Sequence, residues 1–440
     1  MQKKAVESIR KATIITNGVW PFKTLNRLPY TLAMELFKRL CRRFPEIKAA
    51  YLRHSQALGG WTPGLSDIDY TVIIHEGLSA KQEYLFHEKF LKDYVRLKTY
   101  LPMSGEVEVM TVGEFGLWSK HGLRGRMSNR WRLIHGQDVR CNGCHSQEPP
   151  LNELLEEAFG LYEGYLVPKL AGRRSWLLDL EIERLSGKIC GILGHQSRTN
   201  SVKEVIAALD MSCRKFIGEN QTLQEPAKYD VRLHEMPVKE CIRGIQDALA
   251  AMDEVRDAIY VGLSESAGIM LVIVEKPTTS DIIFEKFQNK YLIILTESML
   301  EYYFRFHHPE MFPYLSCRAE SMNGNSLSPK TPPSYNALKD SQIFNAVRSS
   351  VLYRSYITAE RVDENPHYLL SYTSTLNYLR TGTLIVGDLE EIAFEGDKIT
   401  YDEYVRLYKS SSEDSFGRYN LIKQVVEEVL HEIGSKTCGG

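Results

Sequence analysis

Two aspartates one residue apart are the side chains of this sequence best placed to do chemistry. Asp67 and Asp69 lie in the segment SDIDY, directly before the apolar run TVII at 71–74. In a β-strand alternate side chains point to the same side, so the two carboxylates are expected to project together. Two like charges at that spacing repel, and a divalent cation is the simplest compensation. Carboxylates on a strand suit Mg²⁺, which takes one or two of them together with phosphate oxygens and water.

The segments around this pair predict an α/β unit with a mixed sheet. Proline and glycine at 102 and 105 are expected to end one helix and precede a strand. The predicted order is a helix over 31–44 with Leu32, Leu36, Phe37, Leu40, Cys41 and Phe44 on one face, a strand over 47–52, the aspartate strand over 69–74, a helix from a Ser79–Gln82 capping box to about Lys98, and a strand over 106–112.

Further along, the sequence predicts a linker and then a largely helical remainder. The proline-containing stretch CNGCHSQEPP at 141–150 is the first expected linker, and NGNSLSPKTPP at 323–333 is the second. We therefore expect a first domain over 1–145, a helical or mixed accessory region over 151–325 and a helical region over 335–440. The predicted helices are 176–193, 242–259, 336–381 and 417–433, with short apolar runs at 269–274 and 291–295.

Composition excludes several classes of protein. The 440 residues are 43% hydrophobic and 25% charged, as in an ordinary globular protein, with a formal net charge of −2. A charge near zero gives no global positive field, so we do not expect nucleic acid as a partner. No apolar run approaches the roughly 18 residues that a membrane helix needs. We expect a cytoplasmic chain without membrane partners, whose eight scattered cysteines are mostly buried thiols.

The aspartate segment also carries a resemblance to a known family. HSQALGG at 54–60 followed by SDIDYTV at 66–72 resembles the signature of the nucleotidyltransferase superfamily with the polymerase-β-like fold, and most of all aminoglycoside nucleotidyltransferases and small bacterial nucleotidyltransferase-domain proteins. The resemblance covers roughly the first 140 residues. It implies an N-terminal nucleotidyltransferase domain with a mixed sheet, followed by the helical region. The residues that match the family pattern are Ser55, Ala57, Gly59, Ser66, Asp67 and Asp69.

The resemblance also implies an activity and a site. One or two Mg²⁺ ions are held by Asp67, Asp69 and a third carboxylate on a later strand, best matched by Glu108. Glu106, two residues earlier, shares its strand face and stays an alternative. The reaction moves a nucleoside monophosphate from an NTP, ATP first, to a hydroxyl of a small-molecule or protein acceptor and releases pyrophosphate.

In the family, the turn before the aspartates binds the phosphates of the nucleotide. Ser55, Gly59 and Ser66 are the implied nucleotide-binding residues, because a glycine turn lets backbone amides approach the phosphates. His54 stands where the family has glycine, and its β-carbon is expected to crowd the nucleotide. A second hypothesis is therefore a catalytically inert nucleotide-binding or interaction module on the same fold.

Three other segments have a functional and a structural interpretation. The sequence CNGCH at 141–145 matches a haem c attachment pattern, but a linker with two thiols is the better interpretation. The aromatic run EYYFRFHHPEMF at 301–312 is interpreted as core. The arginine-rich run 120–140 is either a solvated face or a contact for triphosphate, through Arg124, Arg126, Arg130 and Arg132.

Overall fold

A computed structural model shows two compact units. The first is drawn from residues 1–147, 347–362 and 411–428, and the second from 148–346, 363–410 and 429–440. The residues that the structure describes are 2–53, 57, 61–121, 127–140, 149–172, 175–196, 199–220, 228–232, 240–262, 268–277, 280–287, 292–312, 315, 319–322, 333–334, 337, 341, 347, 391–395, 416, 420 and 423.

The first unit is a four-stranded mixed sheet with helices. Strand order is β3-β2-β1-β4, with β2 parallel to β3 and β1 antiparallel to both β2 and β4. The elements are α1 (Gln2–Thr16), α2 (Phe22–Leu25), α3 (Leu28–Cys41), β1 (Ile47–Leu52), β2 (Ile68–Ile74), α4 (Ala80–Tyr100), β3 (Ser104–Thr111), α5 (Val112–His121), a 3₁₀ turn (Met127–Arg130) and β4 (Arg132–Gly136).

Local sequence signals set most of these boundaries correctly. The predicted strand 47–52 is β1, and the Ser79–Gln82 capping box opens α4 as expected. The prediction for α3 placed its start three residues late and put Leu32 on the buried face, where the structure exposes 52% of that residue. Tyr30 and Ala33 are buried instead, because they lie on the same helical face as Phe37, Leu40 and Cys41.

The two faces of this sheet differ in character. One face is the core, where Tyr70 stacks on Phe37 with ring centroids 3.7 Å apart and Phe90 packs behind them. Strand residues on this face alternate with those on the other, as the period of two requires. The apolar residues of the core include Ile68, Tyr70, Val72, Ile74, Val107 and Val109. The opposite face of β2 and β3 therefore carries Asp69, Thr71, Glu106 and Glu108.

The second unit is also mixed α/β, with a sheet of order β8-β7-β6-β9 and a parallel pair β5-β10. Its elements are α6 (Leu151–Leu161), a π-helix (Tyr162–Leu166), α7 (Val167–Leu170), α8 (Trp176–Ile192), α9 (Val202–Glu219), β5 (Lys228–Arg232), α10 (Glu240–Ala250), β6 (Val255–Gly262), β7 (Gly268–Val274), α11 (Ser280–Lys286), β8 (Leu292–Leu295), α12 (Glu297–Tyr302), a second π-helix (Tyr303–His307), a 3₁₀ turn (Pro309–Met311), β9 (Ala319–Ser321) and β10 (Glu391–Glu395).

The prediction of one helix over 242–259 was wrong in its second half. The helix ends at Ala250, and Val255 begins strand β6, which pairs antiparallel with β7. All of β6 except Arg256 and Tyr260 is buried, and its β-branched and aromatic residues favour a strand. Pairing with the next strand, β7, accompanies the change from helix to strand. The helices expected over 336–381 and 417–433 lie almost entirely outside the described residues.

Within the described part of the chain, no helix combines the length and apolarity needed to cross a membrane. The sequence predicted that most cysteines are buried, and the structure buries Cys41, Cys190 and Cys213. Burial raises the pKa of Cys41 to about 12, so this thiol stays protonated and serves as a small apolar group of the core.

Candidate functional site

The two aspartates lie where a fixed turn enters strand β2. Gly64, in the turn, has φ of +84°, a backbone conformation that favours glycine. Its N–H donates to the Tyr30 hydroxyl at 2.7 Å, and Arg10 Nε donates to its carbonyl at 2.8 Å. Asp67 follows this turn and is exposed, whereas Asp69 is the second residue of β2 and is half-buried. Long-range hydrogen bonds thus hold the backbone that presents the carboxylates.

Gly105, on the neighbouring strand, makes room for the Asp69 carboxylate. The register of β2 against β3 shifts here, since Ile68 pairs with Ser104 but Tyr70 pairs with Val107. Asp69 Oδ1 accepts the N–H of Glu106 at 3.0 Å. A β-carbon at position 105 would overlap Asp69 Oδ1 and lie 3.2 Å from Asp69 Cγ. The irregularity in the strand pair therefore creates the space that this side chain occupies.

The irregular stretch is fixed from helix α4. The Gly105 carbonyl accepts hydrogen bonds from the Tyr94 hydroxyl at 3.1 Å and from Lys98 Nζ at 2.8 Å. Tyr94 is buried, and this burial raises the pKa of its phenol well above the usual value, so it donates as a neutral group. Two donors on one carbonyl keep the Gly105 peptide, and with it the Glu106 N–H, in one orientation beside Asp69.

Glu108, the favoured third carboxylate, forms an ion pair that the sequence did not predict. Arg53 Nη1 lies 2.6 Å from Glu108 Oε2, and the arginine side chain is only 6% exposed. Arg53 directly follows β1, and its backbone N–H donates to the Asp69 carbonyl at 3.0 Å. A charge-assisted bond of this length orients the Glu108 carboxylate. One of its two oxygens is thereby engaged with a cation.

The structure brings the predicted carboxylates to one face of the sheet but not to a single point. Asp69, Glu106 and Glu108 share that face, and Asp67 lies at its edge. In the described ranges, three ligand atoms within 4.8 Å of one another occur only at Glu163, His307 and His308. Asp67, Asp69 and Glu108 do not form such a group, because Glu108 turns to Arg53 and Asp69 turns to the Glu106 N–H.

The predicted phosphate-binding residues are only partly described. Ser66 is buried, and its hydroxyl accepts the Thr62 N–H at 2.9 Å, so this contact stabilises the turn before Asp67. His54, Ser55 and Gly59 lie outside the described residues, as do Arg124 and Arg126. Of the arginine-rich run, Arg130 and Arg132 are described, and Arg132 is exposed. The cysteines and histidine of CNGCH also lie outside.

The same face of the sheet also carries aromatic side chains and a polar cluster, next to strand β1 and at a distance from the carboxylates. Tyr51 packs beside Phe115 and Trp131, with ring centroids 6.1 and 6.2 Å away. Its hydroxyl donates to Asp138 Oδ1 at 2.9 Å and accepts the Val139 N–H at 2.9 Å. Burial raises the pKa of Tyr51 to about 12. This cluster attaches the chain after β4 to the sheet.

Arg140 completes that attachment. Its guanidinium donates to Asp138 and to the Trp131 carbonyl. These bonds hold the pKa of the Asp138 carboxyl well below its usual range, with the Arg140 side chain as the largest cause. Arg140 therefore has a structural contact, which neither the solvated-face nor the triphosphate interpretation of the arginine-rich run predicted.

Comparisons with known proteins do not test the family resemblance. No family model, no curated protein and no solved structure matches the chain. The site has carboxylate oxygens on a mixed sheet beside the buried Arg53, and two of its carboxylates, Asp67 and Glu106, are exposed. Sequence reasoning missed Arg53 and the role of Gly105, although both directly precede predicted segments of the site, HSQ at 54–56 and Glu106.

Proposed function

We propose that the chain is a Mg²⁺-dependent nucleotidyltransferase that moves a nucleoside monophosphate from an NTP, ATP first, to a hydroxyl of a small-molecule or protein acceptor. The observation that carries the proposal is the parallel pairing of β2 with β3. It puts Asp69, Glu106 and Glu108 on the face opposite the apolar core, where Gly105 leaves space for the Asp69 carboxylate. The motif resemblance at 54–72 supplies the reaction class.

The chemistry assigns a task to each group. The acceptor oxygen forms a bond to the α-phosphorus, and the bond from that phosphorus to pyrophosphate breaks. Asp67 and Asp69 would hold Mg²⁺, which neutralises phosphate charge when it is bound. Glu108, with Glu106 as the alternative, accepts the proton of the acceptor hydroxyl. Arg53 orients the Glu108 carboxylate on this face.

A second candidate function is nucleotide binding without turnover. The Arg53–Glu108 ion pair favours it, because an oxygen engaged with a guanidinium is a weaker metal ligand and proton acceptor. His54, in the position of the family glycine, favours it as well. In this case the second unit would be the working part of the molecule, and the first would report nucleotide occupancy.

Pyrophosphate release tests the first proposal. Each NTP is incubated with Mg²⁺ and a panel of hydroxyl acceptors, using wild type and Asp67→Ala/Asp69→Ala. The double substitution is expected to lower the rate at least about 100-fold, since it removes the metal ligands. Glu35→Gln is the matched control, because Glu35 is an exposed carboxylate paired with Lys38 in the same unit. Activity that survives the double substitution refutes this site.

Two further measurements divide the alternatives. Glu108→Gln and Glu106→Gln are compared in the same assay, and the larger loss identifies the third carboxylate. Calorimetry with an NTP then separates turnover from binding alone. Saturable NTP binding with no pyrophosphate release from any acceptor favours the inert module, and absence of binding contradicts both functions.

A further inference from the structure

A buried cluster of two glutamates and two histidines lies in the second unit, and its histidines belong to the run 301–312 that the sequence assigned to the core. Glu163 Oε2 lies 3.1 Å from His307 Nε2 and 3.0 Å from His308 Nε2. His307 Nδ1 lies 3.0 Å from Glu156 Oε2. All four residues are less than 5% exposed. Buried ionisable groups at this density need a specific chemical reason.

We propose that Glu163, His307 and His308 bind a divalent transition-metal ion, Zn²⁺ in the first instance. In a tetrahedral zinc site, ligand atoms about 2.0–2.1 Å from the metal are about 3.3 Å apart. The two measured separations, 3.1 and 3.0 Å, are near that value, and the ligand atoms of the three residues all lie within 4.8 Å of one another. Two imidazoles and one carboxylate are a common zinc ligand set.

Glu156 supplies the outer contact that such a site requires. A histidine that ligates through Nε2 must carry its proton on Nδ1, and that N–H is normally donated to a carboxylate or carbonyl. His307 Nδ1 faces both oxygens of Glu156, at 3.1 and 3.0 Å. The same contact fixes the ring orientation and leaves the Nε2 lone pair directed at Glu163.

The backbone that carries the ligands is irregular on both sides of the site. Glu163 lies in the π-helix Tyr162–Leu166, and His307 ends the π-helix Tyr303–His307. Single π-helical turns inside α-helices occur often at functional sites, because the extra residue re-aims side chains. Tyr162 ties the first turn to β8 through two hydrogen bonds with the Ile294 backbone, at 2.8 and 3.1 Å. Both turns therefore aim their side chains at one point.

Charge supports a divalent ion at that point. The two glutamates contribute two negative charges when ionised, and one divalent cation with two neutral imidazoles cancels them. The cluster is buried, and its three protein ligands leave the fourth position of a tetrahedral ion to one water. The proposed ion fastens α6 and its π-helix to the segment after α12, which lies more than 140 residues further along the chain.

Zinc content and zinc binding test this site in the untagged chain of 440 residues. After dialysis against a chelator, wild type is expected to take up zinc at this site, with visible absorption bands of tetrahedral Co²⁺ when cobalt replaces it. The double variant Cys141→Ser/Cys144→Ser must still take up this zinc, which shows that the CNGCH segment does not bind it. His308→Gln must lose this zinc uptake. His195→Gln, at another histidine of the same unit, must keep it.

Glu156→Gln gives a graded result. The amide oxygen still accepts the Nδ1–H of His307, so the variant is expected to bind zinc about 10–100-fold more weakly than wild type. If His308→Gln does not fold, this variant and the thermal midpoint of wild type with and without chelator decide the matter. The proposal is overturned by wild type that takes up no zinc, by uptake that His308→Gln leaves unchanged, or by a midpoint insensitive to both chelator and zinc.

Discussion

Replacing Gly105 with alanine should disturb the candidate site more than the fold. The added β-carbon would overlap Asp69 Oδ1 and lie 3.1 Å from Asp67 Cβ and 3.2 Å from Asp69 Cγ. Ordinary carbon contacts are about 3.5–4.0 Å, so the Asp69 carboxylate must retreat by roughly 1 Å. The backbone of Gly105 lies outside the left-handed region, so alanine itself is not strained there.

The expected cost follows from what Asp69 loses. Its 3.0 Å hydrogen bond from the Glu106 N–H has a charged acceptor, and such bonds contribute about 1.5–3 kcal/mol. Alanine recovers about 0.4–1 kcal/mol by restricting the unfolded chain. The free energy of unfolding should therefore fall by about 1–2 kcal/mol. If the proposed function holds, a 1 Å displacement of a metal ligand should lower turnover by about 100-fold.

Urea denaturation of four proteins isolates the contact. They are wild type, Gly105→Ala, Asp69→Ala and the double variant, with a coupling of about 1–2 kcal/mol expected between the two positions. In the Asp69→Ala background the alanine at 105 should be neutral or stabilising, since the overlapping atom is gone. The control is Gly116→Ala in α5, where a β-carbon meets nothing within 4 Å and should stabilise the helix by up to about 1 kcal/mol. A Gly105→Ala variant as stable as this control would refute the reasoning.

Two further outcomes concern buried and coupled charges in the first unit. Lys423→Ala removes the ammonium partner of Glu83, whose side chain is 1% exposed, and should lower the free energy of unfolding in urea by about 3–5 kcal/mol. The control is the exposed pair Arg256–Glu297, where Arg256→Ala should lower it by under about 1 kcal/mol. Equal effects of the two substitutions would contradict the account. Asp138 has a lowered pKa in the fold, so its contribution to stability is complete above its unfolded pKa of about 3.9 and lost as pH falls below it. Asp138→Asn should flatten the stability profile in that acid range, and an unchanged slope there would count against the Arg140 contact.

Local patterns sufficed where a segment's own residues decide its state. Strand β1 has the predicted bounds, and the capping box at Ser79 opens α4 where the sequence placed it. The same reasoning failed at 242–259, since the residues after Ala250 satisfy both a helical and a strand period. Pairing with β7, which starts six residues after β6 ends, made the choice there.

The candidate sites show the same division. The spacing of Asp67 and Asp69 made them candidates, and the family resemblance added Glu108, with Glu106 as the alternative; the structure places Asp69, Glu106 and Glu108 on one face of the sheet. The sequence did not predict the Arg53–Glu108 pair, which joins residues 55 positions apart, or the space above Gly105, which depends on a shifted register. Glu163 and His307 are separated by 144 residues and meet only through two π-helical turns. Spacing in the chain carries no signal for such contacts.

The central claim is that the carboxylates of β2 and β3 hold Mg²⁺ with an NTP. The most direct measurement is a crystal structure of the chain with Mg²⁺ and an ATP analogue that cannot be cleaved between the α- and β-phosphates. The account predicts Mg²⁺ about 2.0–2.1 Å from oxygens of Asp67 and Asp69 and from an α-phosphate oxygen, with Glu108 or Glu106 as the third carboxylate. An analogue bound elsewhere, or Asp67 and Asp69 without metal at saturating Mg²⁺ and analogue, would contradict it.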